Sequence, residues 1–334
     1  TQYLFIYLYT LRRIKSMKIA FFEIHPDEEK ELKKTFKSHQ LIFSPEVLTA
    51  KNTQKAAEAE ILSVYIYSKV THEVLDQFPH LKCITTRSTG YDHIDREECK
   101  KRKITVCNVP SYGENTVAEH AFALILELSR RVTQARQEVL EKKRPVATLP
   151  CFDLKGKTFG VIGTGRIGQS AIHIAKGFGM NVIAYDIIEN KQAAKEIGFT
   201  YVSLENLLKQ SDVITLHVFL SEKTHHLLNK ENLKHVKKGS ILINTSRGPV
   251  VETAALVQAL KKGDLSGAGL DVLEDEESLI EGHPNTEQSF LLKNSNVIYT
   301  PHTAFYSKES VLRILTTTIE NITSFLSKKP LNTL

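Results

Sequence analysis

Along the chain, short runs of apolar, β-branched and aromatic residues alternate with stretches in which apolar residues return at helical spacing. The first five runs are KIAFFEI (residues 18–24), QLIFS (40–44), ILSVYIY (61–67), LKCITTR (81–87) and ITVCNVP (104–110). Strands separated by helical patterns predict parallel βαβ units. From Thr116 to Lys143 neither Pro nor Gly occurs, and Val117, Ala121, Leu124, Ile125 and Leu128 follow helical spacing. One long helix, able to join two domains, is predicted there. A second series follows: KTFGVIG (157–163), NVIAYD (181–186), FTYVS (199–203), DVITLHV (212–218), GSILINT (239–245), GAGLDV (267–272) and NVIYTP (296–301). These seven candidates form one block. Ser307 to Lys328 is helical again and ends before Pro330. If this tail crosses back to the first group of strands, the first domain is discontinuous and the second is inserted into it.

Composition narrows the class. At 334 residues, 41% hydrophobic and 25% charged, the chain has the make-up of a soluble globular protein with room for two cores. Its net charge of +6, from 44 basic and 38 acidic residues, is spread along the sequence. The longest basic run, KKRK at 100–103, carries no interleaved aromatics, so nucleic acid is not the expected partner. Cys83, Cys99, Cys107 and Cys151 form no CxxC pair and have no His at zinc spacing, so neither a disulfide framework nor a metal is expected, and a reducing cytoplasm fits best. No apolar run approaches the roughly 20 residues that cross a bilayer, and no membrane association is expected. Residues 1–16 are apolar first and basic second, the reverse of a secretory signal, and read as an extension. Met17 is the expected native start.

Candidate chemistry appears first in GVIGTGRIGQ. Gly163, Gly165 and Gly168 form a G-x-G-x-x-G pattern directly after an apolar strand and at the start of a helical pattern. Glycines there allow a tight turn, close approach of the backbone to a pyrophosphate and close packing of helix on strand, while the helix N-terminus offers N–H groups to the anion. The next strand ends in Asp186, 18 residues beyond Gly168 (186 − 168), where a carboxylate binds the ribose hydroxyls of NAD and repels the extra phosphate of NADP. A nucleotide fold does not by itself fix a reaction, since such a domain can also bind a methyl donor or act as a sensor.

In open α/β sheets ligands bind beyond the carboxyl ends of the strands. Three polar residues stand at such ends: Arg247 in NTSRGPVV, Glu276 in LDVLEDEE and His302 in NVIYTPHT. Each has a plainer reading, as a surface pair, a solvated acid among Glu274, Asp275 and Glu277, and a loop histidine. Together they suit hydride exchange with a 2-keto acid. A guanidinium clamps a carboxylate bidentately and polarises the adjacent carbonyl. An imidazolium delivers the proton to the new alkoxide, and a carboxylate beside it favours its charged form.

With GTGRIG, INTSRGPVV, GAGLDVLEDE and TPHTAFY in this order, the chain from Met17 onward resembles the D-isomer-specific 2-hydroxyacid dehydrogenases. The resemblance implies two Rossmann-like α/β domains with parallel sheets: a discontinuous substrate domain at 17–111 and 307–334, and an inserted NAD domain at 112–306, with the site in the cleft. It makes His302 the acid/base, Arg247 the substrate clamp and Glu276 the partner of His302. It places Thr89 and Gly90 on the substrate carboxylate and Tyr112, Phe305 and Tyr306 around the substrate. Besides Gly163, Gly165, Gly168, Asp186, Arg247 and His302, it assigns Arg166, Ile167, His217, Val218, Thr245, Ser246 and Asp271 to the NAD side. Aromatics after the catalytic histidine, where relatives acting on glycerates carry small residues, favour reduction of pyruvate to D-lactate. A broader action on branched or aromatic 2-keto acids is the alternative, and an NAD-sensing corepressor-like protein a further one. Glu276 stands where formate dehydrogenases carry Gln. Homodimerisation through the NAD domain and the helix at 116–143 is expected, with His120 packing or bonding at that interface, and 277–290 is a variable loop without an assigned role.

Overall fold

The structure, a computed structural model, describes residues 16–141 and 151–334. The extension before Met17 lies almost wholly outside the described residues. The chain divides into two units, Thr1–Tyr112 with Lys308–Leu334 and Gly113–Ser307.

The first unit holds a parallel five-stranded sheet. Its strands are β1 (Lys18–Phe21), β2 (Gln40–Phe43), β3 (Ile61–Val64), β4 (Cys83–Thr86) and β5 (Thr105–Cys107), in the order β2-β1-β3-β4-β5. The order reverses between β1 and β3, the crossover at which such sheets open to ligands. All four residues of β3 and of β4 are buried, because helices cover both faces. The terminal helix, Lys308–Leu326, packs Leu315 and Ile322 against Ile19, Phe21, Cys83 and Cys107, which returns the end of the chain to the first unit.

The second unit carries seven parallel strands: β6 (Thr158–Ile162), β7 (Asn181–Tyr185), β8 (Thr200–Tyr201), β9 (Val213–Leu216), β10 (Ser240–Asn244), β11 (Leu265–Leu270) and β12 (Val297–Tyr299). Their order is β12-β11-β10-β9-β6-β7-β8, a doubly wound sheet with its switch point between β6 and β9. Two apolar clusters, one on either face, bury β9 and β10 completely. The α/β class with two Rossmann-like parallel sheets is thus as the sequence predicts.

The long helix differs. It runs from Glu114 to Arg130 and buries Val117, Ala121, Leu124, Ile125 and Leu128, but Arg131 turns left-handed (φ 50°) and a second helix, Val132–Leu140, begins. The break is held by side chains. Glu127 accepts the Thr133 N–H at 3.0 Å, satisfying an amide at the start of the new helix, and Arg131 donates to Gln134 and Asn296, both at 3.0 Å. Residues 142 and 143 of the predicted span lie outside the described residues.

Candidate active site

The carboxyl edge of the seven-stranded sheet collects nearly every residue singled out on the nucleotide side. Read along the sheet, β12 is followed by His302, β11 by Asp271 and Glu276, β10 by Thr245, Ser246 and Arg247, β9 by His217 and Val218, β6 by Gly163 to Gly168, and β7 by Asp186. Parallel strands bring these short loops together although they span 140 residues of sequence (302 − 163 + 1).

Around the switch point the three motif glycines have different jobs. Gly163 has φ 95°, and a Cβ there would stand 2.5 Å from the carbonyl oxygen of His217. At Gly168 a Cβ would meet the Gly163 oxygen at 2.0 Å, so helix Arg166–Gly177 can approach β6 only with glycine at this position. At Gly165, by contrast, nothing of the protein lies within 4 Å of a Cβ. Gly165 is the N-cap of that helix and supplies no side-chain cap, and the absent side chain leaves a cradle for a ligand at the helix start. Arg166 is exposed at the helix start and contacts Glu114 at 3.3 Å, while Ile167 is half-buried. Asp186 is fixed: its Oδ2 accepts the Thr164 N–H at 2.7 Å and the Thr164 hydroxyl at 3.0 Å, and Oδ1 accepts the Ile188 N–H at 3.1 Å. An oriented carboxylate one strand away from an open helix N-terminus is what a dinucleotide requires.

His217 donates its backbone N–H to Ile162, and its Nε2 lies 3.0 Å from the Thr215 hydroxyl. Burial pushes its imidazole down to about 4. Such a histidine stays neutral in the folded protein where the unfolded chain, titrating near 6.5, has taken up a proton. The resulting stability is complete above pH ~6.5 and is lost as the pH falls from there towards 4, by on the order of 3 kcal/mol in total. Urea unfolding at pH 7 and pH 4.5 should therefore show a fall in stability that is about 2 kcal/mol smaller in His217→Gln. Equal falls in both proteins would mean that His217 titrates normally.

At the other end of the edge, backbone and side chains tie three loops into one body. Asn244, buried at the end of β10, donates its amide to Arg247 O at 2.9 Å and accepts the Ser246 N–H and hydroxyl. Asn244 O accepts the Asp271 N–H at 2.9 Å, and Asp271 O accepts the His302 N–H at 2.9 Å. The buried Asp271 carboxylate accepts the Thr303 and Ala304 N–H groups, both at 2.9 Å, and the Thr300 hydroxyl at 2.5 Å. Thus Asp271 shapes the loop that carries His302, whose backbone is held left-handed at φ 53°. A histidine keeps such a conformation only where its surroundings fix it. Its Nδ1 lies 3.2 Å from Glu276 Oε2, both side chains 16% exposed, and Glu276 Oε1 accepts the Leu273 N–H at 3.0 Å. Tyr299 faces this carboxylate pair. Burial, with Glu276 and then Asp271 beside it, pushes its phenol up to about 12, so it is a neutral wall.

Phe305 and Tyr306 stand edge to face, 5.7 Å between ring centres, with Tyr306 well exposed. Arg247 Nη1 donates to Ser246 O at 2.8 Å. The Thr245 hydroxyl is buried and has no hydrogen-bond partner among the described residues, an orphan donor in the row of nucleotide-side loops. Within its own unit His120 bonds to Thr300 at 2.9 Å and lies close to Asp271.

Thr89, Gly90 and Tyr112 belong to the first unit, on the loops after β4 and β5. The Thr89 hydroxyl donates to Val109 O at 2.8 Å, the Ser88 hydroxyl to Gly90 O at 2.6 Å, and Arg313 to Tyr112 O at 2.5 Å. Among the described residues no hydrogen bond engages the N–H groups of Thr89 and Gly90. Arg87, just before them, is completely buried. It donates to Phe22 O and Glu23 O, both at 2.7 Å, and to Ser63 at 3.2 Å, and so knots the ends of β1, β3 and β4. Sequence reading passed over Arg87, although a lone arginine closing an apolar strand was a signal. It also treated the acids around Glu276 as solvated. Glu274 is half-buried: burial would raise its carboxyl, but the Thr253 hydroxyl and N–H and the His226 imidazole outweigh this and hold it below the usual range.

This geometry has close counterparts. Residues 122–304 match the D-isomer specific 2-hydroxyacid dehydrogenase NAD binding domain, more than half of the chain. The glyoxylate reductase of Thermococcus litoralis is 44% identical over 75% of each chain. The crystal structure of D-lactate dehydrogenase from Aquifex aeolicus, complexed with NAD and lactic acid, superposes with a TM-score of 0.86 at 38% identity, covering 93% of this chain and 96% of that one. D-2-hydroxyisocaproate dehydrogenase superposes with a TM-score of 0.81 at 32% identity over 95% and 99%.

Proposed function

This chain belongs to the D-isomer specific 2-hydroxyacid dehydrogenases and binds NAD, and from that premise we propose that it reduces pyruvate to D-lactate, reversibly. The observation that carries the reaction is the His302–Glu276 pair at the carboxyl edge of the sheet, on loops bonded to the Arg247 turn. NADH supplies the hydride. His302 Nδ1 is committed to Glu276, so its Nε2 delivers the proton to the oxygen that becomes the hydroxyl and takes it back in the reverse direction. Arg247 binds the substrate carboxylate and polarises the neighbouring carbonyl. Thr89 and Gly90 are read as binding the same carboxylate through their N–H groups, and Tyr112 as a substrate-side residue. Arg166, Ile167, Val218 and Ser246 serve the nucleotide with the glycine loop, Asp186, His217, Thr245 and Asp271.

Phe305 and Tyr306 support the choice of keto acid. A wall formed by the Phe305 ring offers the hydroxyl of hydroxypyruvate no hydrogen-bond partner but accepts a methyl group. Glyoxylate fits the same wall and forfeits the burial of that methyl, worth on the order of 10-fold or more. The reading also includes a homodimer and a cytoplasmic setting.

The deciding measurement is NADH oxidation with pyruvate, glyoxylate, hydroxypyruvate, phenylpyruvate and 2-ketoisocaproate, with chiral analysis of the product. Pyruvate should lead in kcat/KM, ahead of glyoxylate by about 10-fold or more, and give D-lactate. A lead for glyoxylate would make the protein a glyoxylate reductase, a reading its 44% identical relative favours. Faster turnover of a bulkier acid would make it a broader D-2-hydroxyacid dehydrogenase. NADH binding without turnover of any of the five would indicate a sensor.

A further inference from the structure

A second imidazole–carboxylate pair sits beside the first and has no part in the proton transfer. His226 Nε2 and Glu274 Oε1 are 2.6 Å apart, with side chains 36% and 27% exposed. Glu274 Oε2 accepts the Thr253 N–H, also at 2.6 Å, at the first residue of helix Thr253–Lys262. The His226 backbone reaches the other way and donates its N–H to Pro249 O at 2.7 Å, two residues beyond Arg247. Asn229 donates its amide to His226 O at 3.0 Å, and the ring of His225 stacks on that of His226 at 4.0 Å.

These contacts join two loops that must stay in register. One is the turn after β10, which presents Arg247 and runs through Gly248–Val250 into the helix at Thr253. The other follows β11 and presents Glu276, whose carboxylate is held by the Leu273 N–H. Glu274 belongs to the second loop and grips the first through Thr253, while His226 grips the first through Pro249 and the second through Glu274. The backbones of the two loops are also in close contact, since a Cβ on Gly248 would stand 1.9 Å from Leu273 O. Backbone strain gathers at the same place: His226 (φ 49°), Asp275 (φ 54°) and His302 (φ 53°) are all left-handed. Such conformations persist where packing and hydrogen bonds over-determine them.

We propose that His226 and Glu274 are positioning residues that lock the Arg247 turn to the Glu276 loop, and so set the clamp and the acid/base pair at a fixed separation. The consequence for catalysis rests on the function proposed above, whereas the lock itself does not. Both act through their neighbours and not on the reacting atoms. Loosening the lock should raise KM for the keto acid through Arg247 and lower kcat through His302, with a smaller effect on NADH affinity, because the glycine loop and Asp186 lie on other strands. Small displacements of a reacting constellation are costly.

The test compares His226→Ala, His226→Gln and Glu274→Gln with the natural protein. Glutamine at 226 places a neutral N–H donor where the imidazole Nε2 stood, so it separates the bond from the charge and the ring. Two readouts are needed: hydrogen exchange of peptides covering 247–253 and 271–276, which requires no activity, and steady-state kinetics with pyruvate and NADH. His226→Ala should speed exchange in both peptides and lower kcat/KM for pyruvate about 10-fold, while NADH affinity changes by less than that. His226→Gln should recover most of both, and Glu274→Gln should resemble His226→Ala because the Thr253 contact also weakens. Unchanged exchange in His226→Ala would overturn the lock, whatever the activity. Faster exchange with intact kcat/KM would overturn the positioning role, and equal losses in alanine and glutamine variants would overturn the hydrogen bond as the lock, the effect then coming from the charge or the packing of the ring. If the natural protein reduces none of the keto acids, the functional reading fails and the exchange data still decide the lock.

Discussion

Replacing His302 with alanine is expected to lower kcat for pyruvate reduction by on the order of 10²–10⁴, the usual worth of a positioned acid/base, while NADH affinity stays within a few fold. The expectation rests on how the loop is built. The strained backbone at 302 is held from outside the side chain, by Asp271 O on the His302 N–H and by the Asp271 carboxylate on the amides of Thr303 and Ala304. Alanine should thus keep the loop and lose only the imidazole. Glu276→Gln makes the informative partner, because glutamine can still meet the Leu273 N–H but takes the carboxylate away from His302 Nδ1. Its loss should be smaller than that of His302→Ala. The measurement is steady-state kinetics with direct titration of NADH by fluorescence. A His302→Ala enzyme with nearly normal kcat would remove the mechanism, and one that no longer bound NADH would show that the loop had collapsed.

Strands were the most legible part of the chain because parallel strands covered on both faces must be apolar at every position, which is why ILSV, VITL and SILIN stand out in any reading. The phosphate loop was legible for a related reason: Gly163 and Gly168 are forced by backbone contacts that no other residue allows, so the spacing is rigid. The catalytic candidates could be found by asking which polar residues end strands, since the fold itself brings strand ends together. What escaped depends on side chains meeting across the fold. Nothing local announces that Glu127 will cap a new helix and stop the long one at Arg131, or that Arg87 will be buried against Phe22, Glu23 and Ser63. The acidic run around Glu276 misled for the same reason. In LDVLEDEE the acids look interchangeable, yet the carboxylate of Glu274 is committed to His226 and Thr253, that of Glu276 to Leu273 and His302, and that of Asp275 to the nearby Ser278. Their partners lie up to 48 residues away, at His226, outside any window a periodicity argument uses.

Gly248→Ala should be the most damaging single methyl group in the second unit. The added Cβ would lie 1.9 Å from Leu273 O, 2.1 Å from Leu273 C and 2.6 Å from Glu274 N, all backbone atoms, so one of two loops has to move by more than 1 Å to restore ordinary contact. Neither can do so quietly. The Leu273–Glu274 segment is bonded to Glu276, His226 and Thr253, and the Arg247 turn is bonded to Asn244 and His226. Overpacking of this kind costs about 2–3 kcal/mol, and a displacement of about 1 Å between clamp and acid/base pair costs on the order of 10² in kcat/KM. Urea unfolding and steady-state kinetics on the same preparation read both. Gly165→Ala provides the contrast, because its Cβ meets no protein atom and its backbone, at φ −65°, suits alanine. That variant should fold with unchanged stability and lose NADH affinity, since only the ligand competes for the space. If Gly248→Ala keeps normal activity, the Arg247 turn lies outside the reacting constellation; if Gly165→Ala binds NADH normally, the pyrophosphate does not rest on that glycine.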